Sequence, residues 1–433
     1  MNNTVLNLKS YFYPEDVASS YLSHNINEAI VDAGLEIVLY TPVPTRGIDD
    51  YVRKEYCTVK KNEQWYDGRM IIHRFSLYRE GKNPLLRAFR YFLQEVKLFN
   101  RGVFGKDAKR CSVIMVASTP PIQGATAALI KKVRRIPMVY DLQDIFPDSL
   151  VGTGMTHKGS LLWKIGRRIE NFTYRNAEKI IVISQDFKRN IMAKGVPEEK
   201  IEVVYNWVDE KAITPVKDEE NELFEEFGIS RDKFRVVYAG NLGNAQNIEI
   251  IVNAARRLKD NNGIEIIIFG KGGLEDEIKA IKAKEQLNNL KILPLQPYER
   301  VAKVYGLGHV CIVACKPGLG GAAMPSKTWS IMSSGRAVLA NFDEGELKEI
   351  VEGGPSTSPS TSSGTDSGTA KPCGVFTKAG DLEGFVAAIE ELSQHPERCA
   401  EMGSNGRRFI LENLTREVGT RKYVEVIKSV VKE

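Results

Sequence analysis

Short apolar segments alternate with amphipathic helical patterns along most of this chain, and the alternation restarts once. Residues 5–8, 37–40 and 113–117 are near-continuous apolar runs separated by segments with helical spacing. The same arrangement begins again at residues 234–239 and continues through residues 264–269. Alternating strand and helix patterns predict parallel sheets, because a parallel crossover needs a long connection that is usually a helix. We therefore expect an α/β protein with two Rossmann-like domains facing across a cleft.

An acidic and irregular segment after Trp207 separates the two arrays. Such a composition is typical of a linker between domains, and a chain of 433 residues is too long for one ordinary core. We predict an N-terminal domain at residues 1–206, a linker at 207–222 and a C-terminal domain at 223–405. A helical segment at 406–433 is predicted to pack back on the N-terminal domain.

Composition is that of a globular protein, with 42% apolar residues, 27% charged residues and a net charge of +5. No apolar run approaches the roughly 18 residues needed to span a bilayer, and the first residues lack the pattern of a secretory signal. The six cysteines and five histidines are scattered, which gives no pattern of a metal site. We expect a cytoplasmic protein without a metal, a cofactor or a nucleic-acid partner. Residues 43–68 are predicted to form a loop, and the Ser/Thr-rich residues 353–371 a flexible one.

The segment 313–340 carries the strongest signal for a ligand site. A strand ends at Ala314, a glycine-rich loop follows, and Pro325-Ser326-Lys327 leads into a short helix before another strand. Helix amides and a lysine at such a position stabilise an anion. We therefore predict a diphosphate-and-sugar pocket in which Lys327 supplies a fixed positive charge. The glycine-rich turn after residues 234–239 is either a second phosphate contact or an ordinary turn.

Acidic residues follow strands of the first array, where parallel sheets bind ligands. Glu15 comes after the first strand, and Asp144 comes a few residues after a later strand of the same array. Both are candidates for contacts with sugar or acceptor hydroxyls. The alternative for Asp144 is a helix N-cap.

Residues 82–106 form an amphipathic pattern with basic residues around its apolar positions. One interpretation is a helix that faces the core and has a solvated basic side. The other is an interfacial helix whose arginines and lysines meet anionic lipid headgroups or a pyrophosphate-linked acceptor, at the inner face of the plasma membrane.

The order of several motifs resembles that of the retaining glycosyltransferases of family four, which have the GT-B fold. The motifs are YFYPEDVAS, VYDLQDIFPDS, EKIIVIS, VVYNWVD, VVYAGNLG, FGKGGLEDE, MPSKTWSIMSSGRAVLA, GVFTKAGD and MGSNGRRFI. The likeness covers nearly the whole chain. The P-S-K-x-x-x-I-M segment is similar to that of O-antigen and capsule transferases of the L-fucosamine type.

This resemblance implies a nucleotide-diphosphate sugar, UDP-linked, bound mainly by the C-terminal domain. It also implies a lipid-linked saccharide acceptor on the N-terminal domain, retention of configuration and no metal. The enzyme class would be that of hexosyl or acetylhexosaminyl transferases. The transferred sugar would be an N-acetylated amino sugar or a deoxy-amino sugar.

Three groups of site residues are predicted on these grounds. The catalytic candidates are Lys327, Asp144 and Glu15. The donor-binding candidates are Gly240, Asn241, Gly243, Asn244, Gln246, Lys271, Gly318, Gly320, Gly321, Pro325, Ser326 and Ser330. The candidates for acceptor or membrane contact are Arg87, Arg90, Lys97 and Arg101.

The sequence departs from the family pattern at the paired glutamates that family members often carry, where it has Ala322 and Ser330. Two other classes of function stay open. A non-hydrolysing nucleotide-sugar epimerase would need acid–base carboxylates or histidines at the site, whereas an inactive nucleotide-sugar-binding subunit at the membrane would not. A dinucleotide-dependent dehydrogenase is disfavoured, because the first βα turn is not G-x-G-x-x-G.

Overall fold

The computed structural model describes residues 3–15, 20–81, 83–152, 154–320, 324–353 and 371–431. These residues form two compact units, of which unit 1 comprises the described part of Met1–Tyr205 and Gly419–Glu433, and unit 2 that of Asn206–Val418. Gly321, Ala322 and residues 354–370 of the predicted Ser/Thr-rich loop lie outside the described residues.

Unit 1 is built on a sheet with eight strands within its described residues. The strands are β1 (Thr4–Leu8), β2 (Glu36–Pro42), β3 (Asn62–Trp65), β4 (Met70–Phe75), β5 (Val113–Ala117), β6 (Met138–Leu142), β7 (Lys179–Val182) and β8 (Ile201–Val203). Their order is β3-β4-β2-β1-β5-β6-β7-β8, and each neighbouring pair is parallel except the antiparallel edge pair β3–β4. The inner strands read as continuous apolar runs because helices cover the sheet.

The helices of unit 1 that precede the C-terminal segment connect these strands. They are α1 (Ser20–Asp32), α2 (Asp50–Cys57), α3 (Pro84–Phe104), α4 (Ile122–Arg134), α5 (Asp148–Gly152), α6 (Leu161–Asn176) and α7 (Gln185–Ala193). Buried residues of α3, α4 and α6, such as Leu98, Ile130 and Tyr174, join one apolar cluster with the strands. These three helices therefore pack on the same face of the sheet.

Unit 2 contains a second, fully parallel sheet of six strands within its described residues. The strands are β9 (Phe234–Asn241), β10 (Ile264–Lys271), β11 (Leu290–Pro294), β12 (Val310–Ala314), β13 (Ala337–Phe342) and β14 (Gly374–Lys378). Their order is β11-β10-β9-β12-β13-β14. The chain moves outward from β9 to β11 and then crosses to β12. The carboxyl ends of β9 and β12 therefore flank the topological switch point, where open α/β sheets bind ligands.

The remaining helices follow in chain order. They are α8 (Leu223–Glu226), α9 (Ile248–Arg257), α10 (Glu275–Glu285), α11 (Val301–Gly306), α12 (Ser326–Ser333), α13 (Glu346–Glu352), α14 (Leu382–Gln394), α15 (Pro396–Asn413) and α16 (Arg416–Val430). From Gly419 onward, α16 belongs to unit 1. The segment predicted as a linker, 207–222, belongs to unit 2, where the Trp207 and Ile213 side chains are buried.

The predicted α/β organisation with parallel sheets is confirmed. The prediction that residues 43–68 form a loop is wrong. This segment contains α2 and the edge strand β3. Only Tyr56 of α2 is buried, and β3 alternates between exposed and half-buried residues at the edge of the sheet. Elements that bury so little have few apolar residues, and the apolar pattern that reveals the other elements is therefore missing here.

Candidate functional site

Lys327 lies in the first turn of α12, near the switch point of unit 2. Its Nζ atom donates a hydrogen bond to the Tyr238 hydroxyl at 2.7 Å and lies 4.2 Å from the centre of the Tyr238 ring. The Tyr238 hydroxyl in turn donates to the Asn241 carbonyl at 2.8 Å. The lysine is thus fixed to the carboxyl end of β9 by both the ring and the hydroxyl of one tyrosine.

Gly240 makes this position of the lysine possible. A Cβ atom at Gly240 would lie 2.6 Å from both Cε and Nζ of Lys327, and the glycine has a φ of +143°. A side chain would therefore be strained at this position and would also displace the lysine. The positive φ and the close approach of the lysine both favour glycine at the end of β9, and they are compatible with a phosphate contact and with an ordinary turn.

The charge of Lys327 has no counter-ion among the residues that the structure describes. Burial lowers its pKa to about 8, and no nearby carboxylate offsets that effect. Desolvation disfavours the charged form of a lysine, and a phosphate group within reach would favour it again. The arrangement is therefore suited to an anionic ligand.

A cavity of about 210 Å³ adjoins Lys327. Its lining includes Phe269, Leu295, Tyr298, Ser326 and Ser330. This volume is below the roughly 300–1,000 Å³ of sites that enclose a drug-sized ligand, so a ligand of that size would extend beyond the cavity. The predicted contacts Ser326 and Ser330 thus lie beside the predicted lysine.

Helix α12 begins after Pro325, and no side chain of the described residues caps it. Lys327 is the second residue of this helix and belongs to its uncapped first turn. A helix N-terminus favours negative charge, and here Lys327 adds to that effect.

The predicted turn after β9 is tight. The Asn241 side chain approaches that of Gln246 at 3.4 Å, and a Cβ atom at Gly243 would lie 2.7 Å from the Asn241 Nδ2 atom. Asn244 is exposed, and Lys271 is exposed at the end of β10, in register with Asn241. The structure therefore places these residues along the same edge of the sheet, although Lys271 does not line the cavity.

The glycine-rich loop after β12 differs from the prediction. The amides of Gly318 and Gly320 donate to the two carboxylate oxygens of Asp343, at 3.0 and 2.7 Å. These amides, predicted to contact phosphate, are already bound to an acid of the same chain. Asp343 was not among the predicted site residues, although its position just after β13 is one where acids often serve a site.

Unit 1 contains a larger cavity, of about 820 Å³, at the carboxyl ends of β1 and β6. The aromatic side chains of Phe12, Tyr13 and Trp65 form part of its wall. The centre of the Trp65 ring lies 5.3 Å from that of the Phe12 ring and 5.7 Å from that of the Tyr13 ring. Lys9, Asp141 and Gln143 supply polar groups. Apolar walls with a few convergent polar groups are typical of small-molecule sites.

Lys9 and Asp141 offset each other's charge. Burial lowers the pKa of Lys9, and the negative charge of Asp141 partly counteracts this. Burial likewise raises the pKa of Asp141, against the effects of Lys9 and of two hydrogen bonds. Those bonds come from Gln143 Nε2 at 2.7 Å and from the Tyr423 hydroxyl of α16 at 2.9 Å. The last helix therefore holds this acid in place.

The two acids predicted to be catalytic have other partners. Glu15 lines the cavity, but its Oε1 atom accepts the Thr45 and Arg46 amides at 2.7 and 2.8 Å and so fixes a loop. Asp144 does not line the cavity and accepts the Ser149 hydroxyl at 3.1 Å, at the start of α5. This contact is with a side-chain hydroxyl and not with a helix amide, so it favours neither the catalytic role nor the capping role of Asp144.

Arg90 is not exposed, contrary to its predicted contact with an acceptor or a membrane. Its side chain is 1% exposed and donates to the Tyr78 carbonyl and to the Thr45 hydroxyl, both at 3.0 Å. Arg87, Lys97 and Arg101 are exposed.

The sequence-based prediction also lacked three residues that line the cavity of unit 1 or fix Lys327, namely Trp65, Lys9 and Tyr238. Trp65 lies in the segment predicted to be a loop, and Lys9 follows an apolar strand without a further pattern. Tyr238 reads as one more apolar residue of β9. Among the described residues, no group of three or more His, Cys, Asp or Glu side chains is arranged to hold a metal ion.

Comparisons with known proteins agree with this division of the chain. The family model described as glycosyl transferase 4-like domain matches residues 21–207, and that described as glycosyl transferases group 1 matches residues 219–409. The chain is similar to the probable glycosyltransferase WbjE of Pseudomonas aeruginosa, at 28% identity over 64% of this chain and 69% of WbjE. It is also similar to the putative colanic acid biosynthesis glycosyl transferase WcaI of Escherichia coli, at 27% identity over 52% of this chain and 56% of WcaI.

Solved structures resemble the whole chain in fold. The sucrose-phosphate synthase of Thermosynechococcus elongatus matches with a TM-score of 0.72 at 13% identity, covering 99% of this chain and 98% of the synthase. HepE of Anabaena, solved in complex with UDP, matches with a TM-score of 0.68 at 16% identity, covering 98% of this chain and 100% of HepE. The resemblance to the L-fucosamine-type subgroup stays a prediction. With a 4-like domain followed by a group 1 domain on the GT-B fold, this chain belongs to the GT-B glycosyltransferases.

Proposed function

We propose that this protein is a retaining, metal-independent glycosyltransferase that transfers a sugar from a UDP-linked donor to a lipid-linked saccharide. The sugar is an N-acetylated amino or deoxy-amino sugar, and the product is a repeat of a surface polysaccharide such as O-antigen or capsule. The observation that carries this proposal is the half-buried Lys327, which has no counter-ion among the described residues and lies in the first turn of α12.

Lys327 and the α12 amides bind the diphosphate of the donor. Negative charge builds up on this group as the bond to the sugar breaks, so fixed positive charge stabilises the transition state more than the bound substrate. The departing diphosphate accepts the proton of the acceptor hydroxyl, which is consistent with the lack of a carboxylate or histidine in the lining of the adjacent cavity. Ser326 and Ser330 contact the nucleoside, and Tyr298 offers an aromatic face at the same cavity.

The acceptor saccharide binds in the cavity of unit 1. Asp141 and Gln143 are placed to contact sugar hydroxyls, and the Trp65 cluster offers apolar surface to a sugar ring. We assign acceptor recognition to Asp141 rather than to Asp144, because Asp141 lines the cavity and Asp144 does not. Glu15 shapes this cavity through the loop that it holds.

The choice of donor base and of pathway is supported by relatives. HepE was solved in complex with UDP, and the name of WcaI refers to colanic acid biosynthesis. The L-fucosamine-like P-S-K-x-x-x-I-M segment favours an amino sugar.

A donor screen tests the proposal. Purified protein is heated with a panel of nucleotide sugars, and each compound that raises the melting temperature is then offered with undecaprenyl-diphosphate saccharides. We expect UDP-linked N-acetylated sugars to stabilise the protein, and transfer to release UDP and to give a product with the donor's anomeric configuration. Transfer should persist in EDTA. Inversion of configuration or loss of transfer in EDTA would contradict the mechanism, and binding of the donor without transfer to any saccharide would favour an inactive binding subunit.

The epimerase alternative loses support from the site itself. Its chemistry removes and returns a proton on the sugar, but the described residues that line the cavity beside Lys327 include no carboxylate and no histidine. Incubation of the stabilising nucleotide sugar in deuterated water decides the matter, because an epimerase would incorporate deuterium at the sugar and a transferase would not.

A further inference from the structure

Helices α3, α4 and α6 present large apolar side chains to solvent on unit 1. On α3, Leu85 is 80% exposed, Phe89 53% and Phe92 56%. These residues and the exposed Val96 follow one another every three or four positions, so they form one stripe along the helix. Large apolar residues exposed in such a stripe mark an interaction surface rather than a solvated face.

The neighbouring helices repeat this feature. Leu129 and Val133 of α4 are 47% and 57% exposed. The exposed apolar residues of α6 are Leu161, Leu162 and Ile165.

The three helices lie side by side. A Cβ atom at Gly102 of α3 would lie 2.6 Å from Ile130 of α4, and one at Gly124 of α4 would lie 2.6 Å from Thr173 of α6. On their outer side, the Lys132 ammonium lies 4.8 Å from the centre of the Phe172 ring, which joins α4 to α6. We call the exposed residues of α3, α4 and α6 the three-helix surface.

The three-helix surface is strongly basic. The helices contain eleven Lys and Arg residues and two acids, Glu95 and Glu170, although the whole chain has a net charge of only +5. Both acids are buried, at 5% and 6% exposure. Glu170 is paired with Arg167 and Lys194. The exposed charge on these three helices is therefore entirely positive, from residues such as Arg101, Lys164 and Arg168.

We propose that the three-helix surface docks on an anionic lipid bilayer, with its apolar residues among the acyl chains and its Lys and Arg residues at the headgroups. Amphipathic helices with Phe and Leu flanked by Lys and Arg bind membranes in this way. Polyanions such as nucleic acids would leave the apolar stripe in water. A second copy of the same surface would oppose like charges. None of the described helices is both long and apolar enough to cross a membrane, so docking would be peripheral.

This inference extends the proposed function, since a lipid-linked acceptor is presented at a bilayer. It corrects the sequence-based assignment at Arg90, which is buried, and adds α4 and α6 to the surface. Its test does not depend on transferase activity.

Vesicle flotation of the full chain tests the proposal. Vesicles of phosphatidylcholine alone are compared with vesicles containing about a third phosphatidylglycerol, a composition that provides a negative surface potential. We expect binding to the anionic vesicles only, and weaker binding at 1 M salt, where the Debye length falls to about 3 Å. Equal binding to both vesicles, or binding to neither, would overturn the proposal. Binding of heparin or poly-aspartate without vesicle binding would instead indicate an acidic macromolecular partner and would also overturn it.

Two double variants separate charge from apolar contact. Lys164→Glu/Arg168→Glu should weaken binding at least about 25-fold, because each Lys or Arg near an anionic surface contributes about fivefold. Phe89→Ser/Phe92→Ser should remove the binding that persists at high salt. Both pairs are exposed, so circular dichroism and the melting temperature should stay unchanged.

Matched controls lie elsewhere on the chain. Lys211→Glu/Lys284→Glu makes the same charge change at exposed positions of unit 2, and Tyr51→Ser/Val59→Ser removes two exposed apolar residues of unit 1 outside this surface. Vesicle binding of both controls should match the wild type. If the controls lose binding to the same degree as the surface variants, the three-helix surface is not the docking site. Donor stabilisation, measured without vesicles, should be the same in all four variants, so a failed donor assignment is distinguished from a failed membrane assignment.

Discussion

Lys9 of unit 1 and Lys327 of unit 2 lie in cavities at corresponding edges of the two sheets, but their electrostatic surroundings differ. Burial lowers the pKa of both. Asp141 partly offsets this effect at Lys9, whereas no charged group of the described residues does so at Lys327. The charge of Lys9 is thus partly offset by an acid, whereas that of Lys327 has no such acid among the described residues.

This difference indicates which cavity receives the charged ligand. A buried cation without a partner destabilises the folded protein, and such costs are concentrated at functional sites. An internal pair adds little net charge and leaves hydrogen-bonding groups for a neutral ligand. The contrast between the two lysines therefore supports a diphosphate in unit 2 and saccharide hydroxyls in unit 1.

Loss of the unpaired lysine should have the largest effect on activity. In Lys327→Met, the turnover number for transfer should fall about 10²- to 10³-fold, as in enzymes that lose one group stabilising a developing anion. Steady-state release of UDP measures this. The matched control Lys284→Met removes an exposed charge of unit 2, and its rate should stay within about twofold of the wild type, as for most surface changes. A Lys327→Met protein with wild-type turnover would show that the unpaired charge is not used in catalysis.

The sequence predicted most of the fold because continuous apolar strands and amphipathic helices leave a clear pattern. It also predicted Lys327, because a glycine-rich loop that leads through proline into a helix start with a lysine is typical of an anion site. It could not identify Tyr238, whose ring is one of many apolar groups on a strand and whose hydroxyl gains its role only through tertiary contact. Nor could it show that Asp343 occupies the Gly318 and Gly320 amides, since that contact joins two loops of the fold.

The same pattern-based reasoning named Asp144 in the motif Asp141-Leu142-Gln143-Asp144, whereas the cavity of unit 1 is lined by Asp141. Both acids follow the strand pattern, and only the packing of α16 distinguishes them. Tyr423, 282 positions away in sequence, donates to Asp141. Local spacing carries no information on such a partner.

The charge of Lys327 should lower the stability of the folded protein. The unfolded chain keeps Lys327 protonated up to its ordinary pKa of 10.5, whereas the folded protein releases the proton near pH 8. The charged lysine therefore destabilises the fold below about pH 8, and Lys327→Met should raise the free energy of unfolding by about 1–3 kcal/mol at pH 7. This gain should shrink between pH 8 and 10.5, as wild-type stability rises. Urea unfolding at several pH values measures it, and a destabilised variant at pH 7 would contradict the absence of a counter-ion.

For the pair in unit 1, a double-mutant cycle is informative. Lys9→Met and Asp141→Asn each leave the other charge without its partner, so the double variant should be more stable than the sum of the single effects by about 1–3 kcal/mol. The asparagine Oδ1 atom still accepts the bonds from Gln143 and Tyr423, which limits other changes. Additive effects would mean that the two side chains do not interact.

The pH dependence of donor use should reflect the unpaired lysine. Since the pKa of Lys327 is about 8 in the free protein, its charge is present below that pH and is lost above it. The ratio kcat/KM for the donor should therefore be constant below about pH 8 and fall about tenfold for each further pH unit. Lys327→Arg provides the control, because a guanidinium stays charged throughout this range, so its residual activity should show no such fall. An identical decline in both proteins would assign the titration to another group.

The smallest effect on donor use should come from Tyr238→Phe. This variant separates the contribution of the Tyr238 hydroxyl to the contact with Lys327 from that of the ring. The variant keeps the ring 4.2 Å from Nζ but removes the oxygen that accepts the lysine's hydrogen bond. Loss of one such bond to a charged donor corresponds to about 1–2 kcal/mol, so kcat/KM for the donor should fall about 5- to 30-fold, less than in Lys327→Met. Tyr238→Leu removes the ring as well and should lose more. If Tyr238→Phe equals Lys327→Met in its effect, the hydroxyl itself acts on the donor, and the tyrosine is more than a support that holds the lysine at the end of β9.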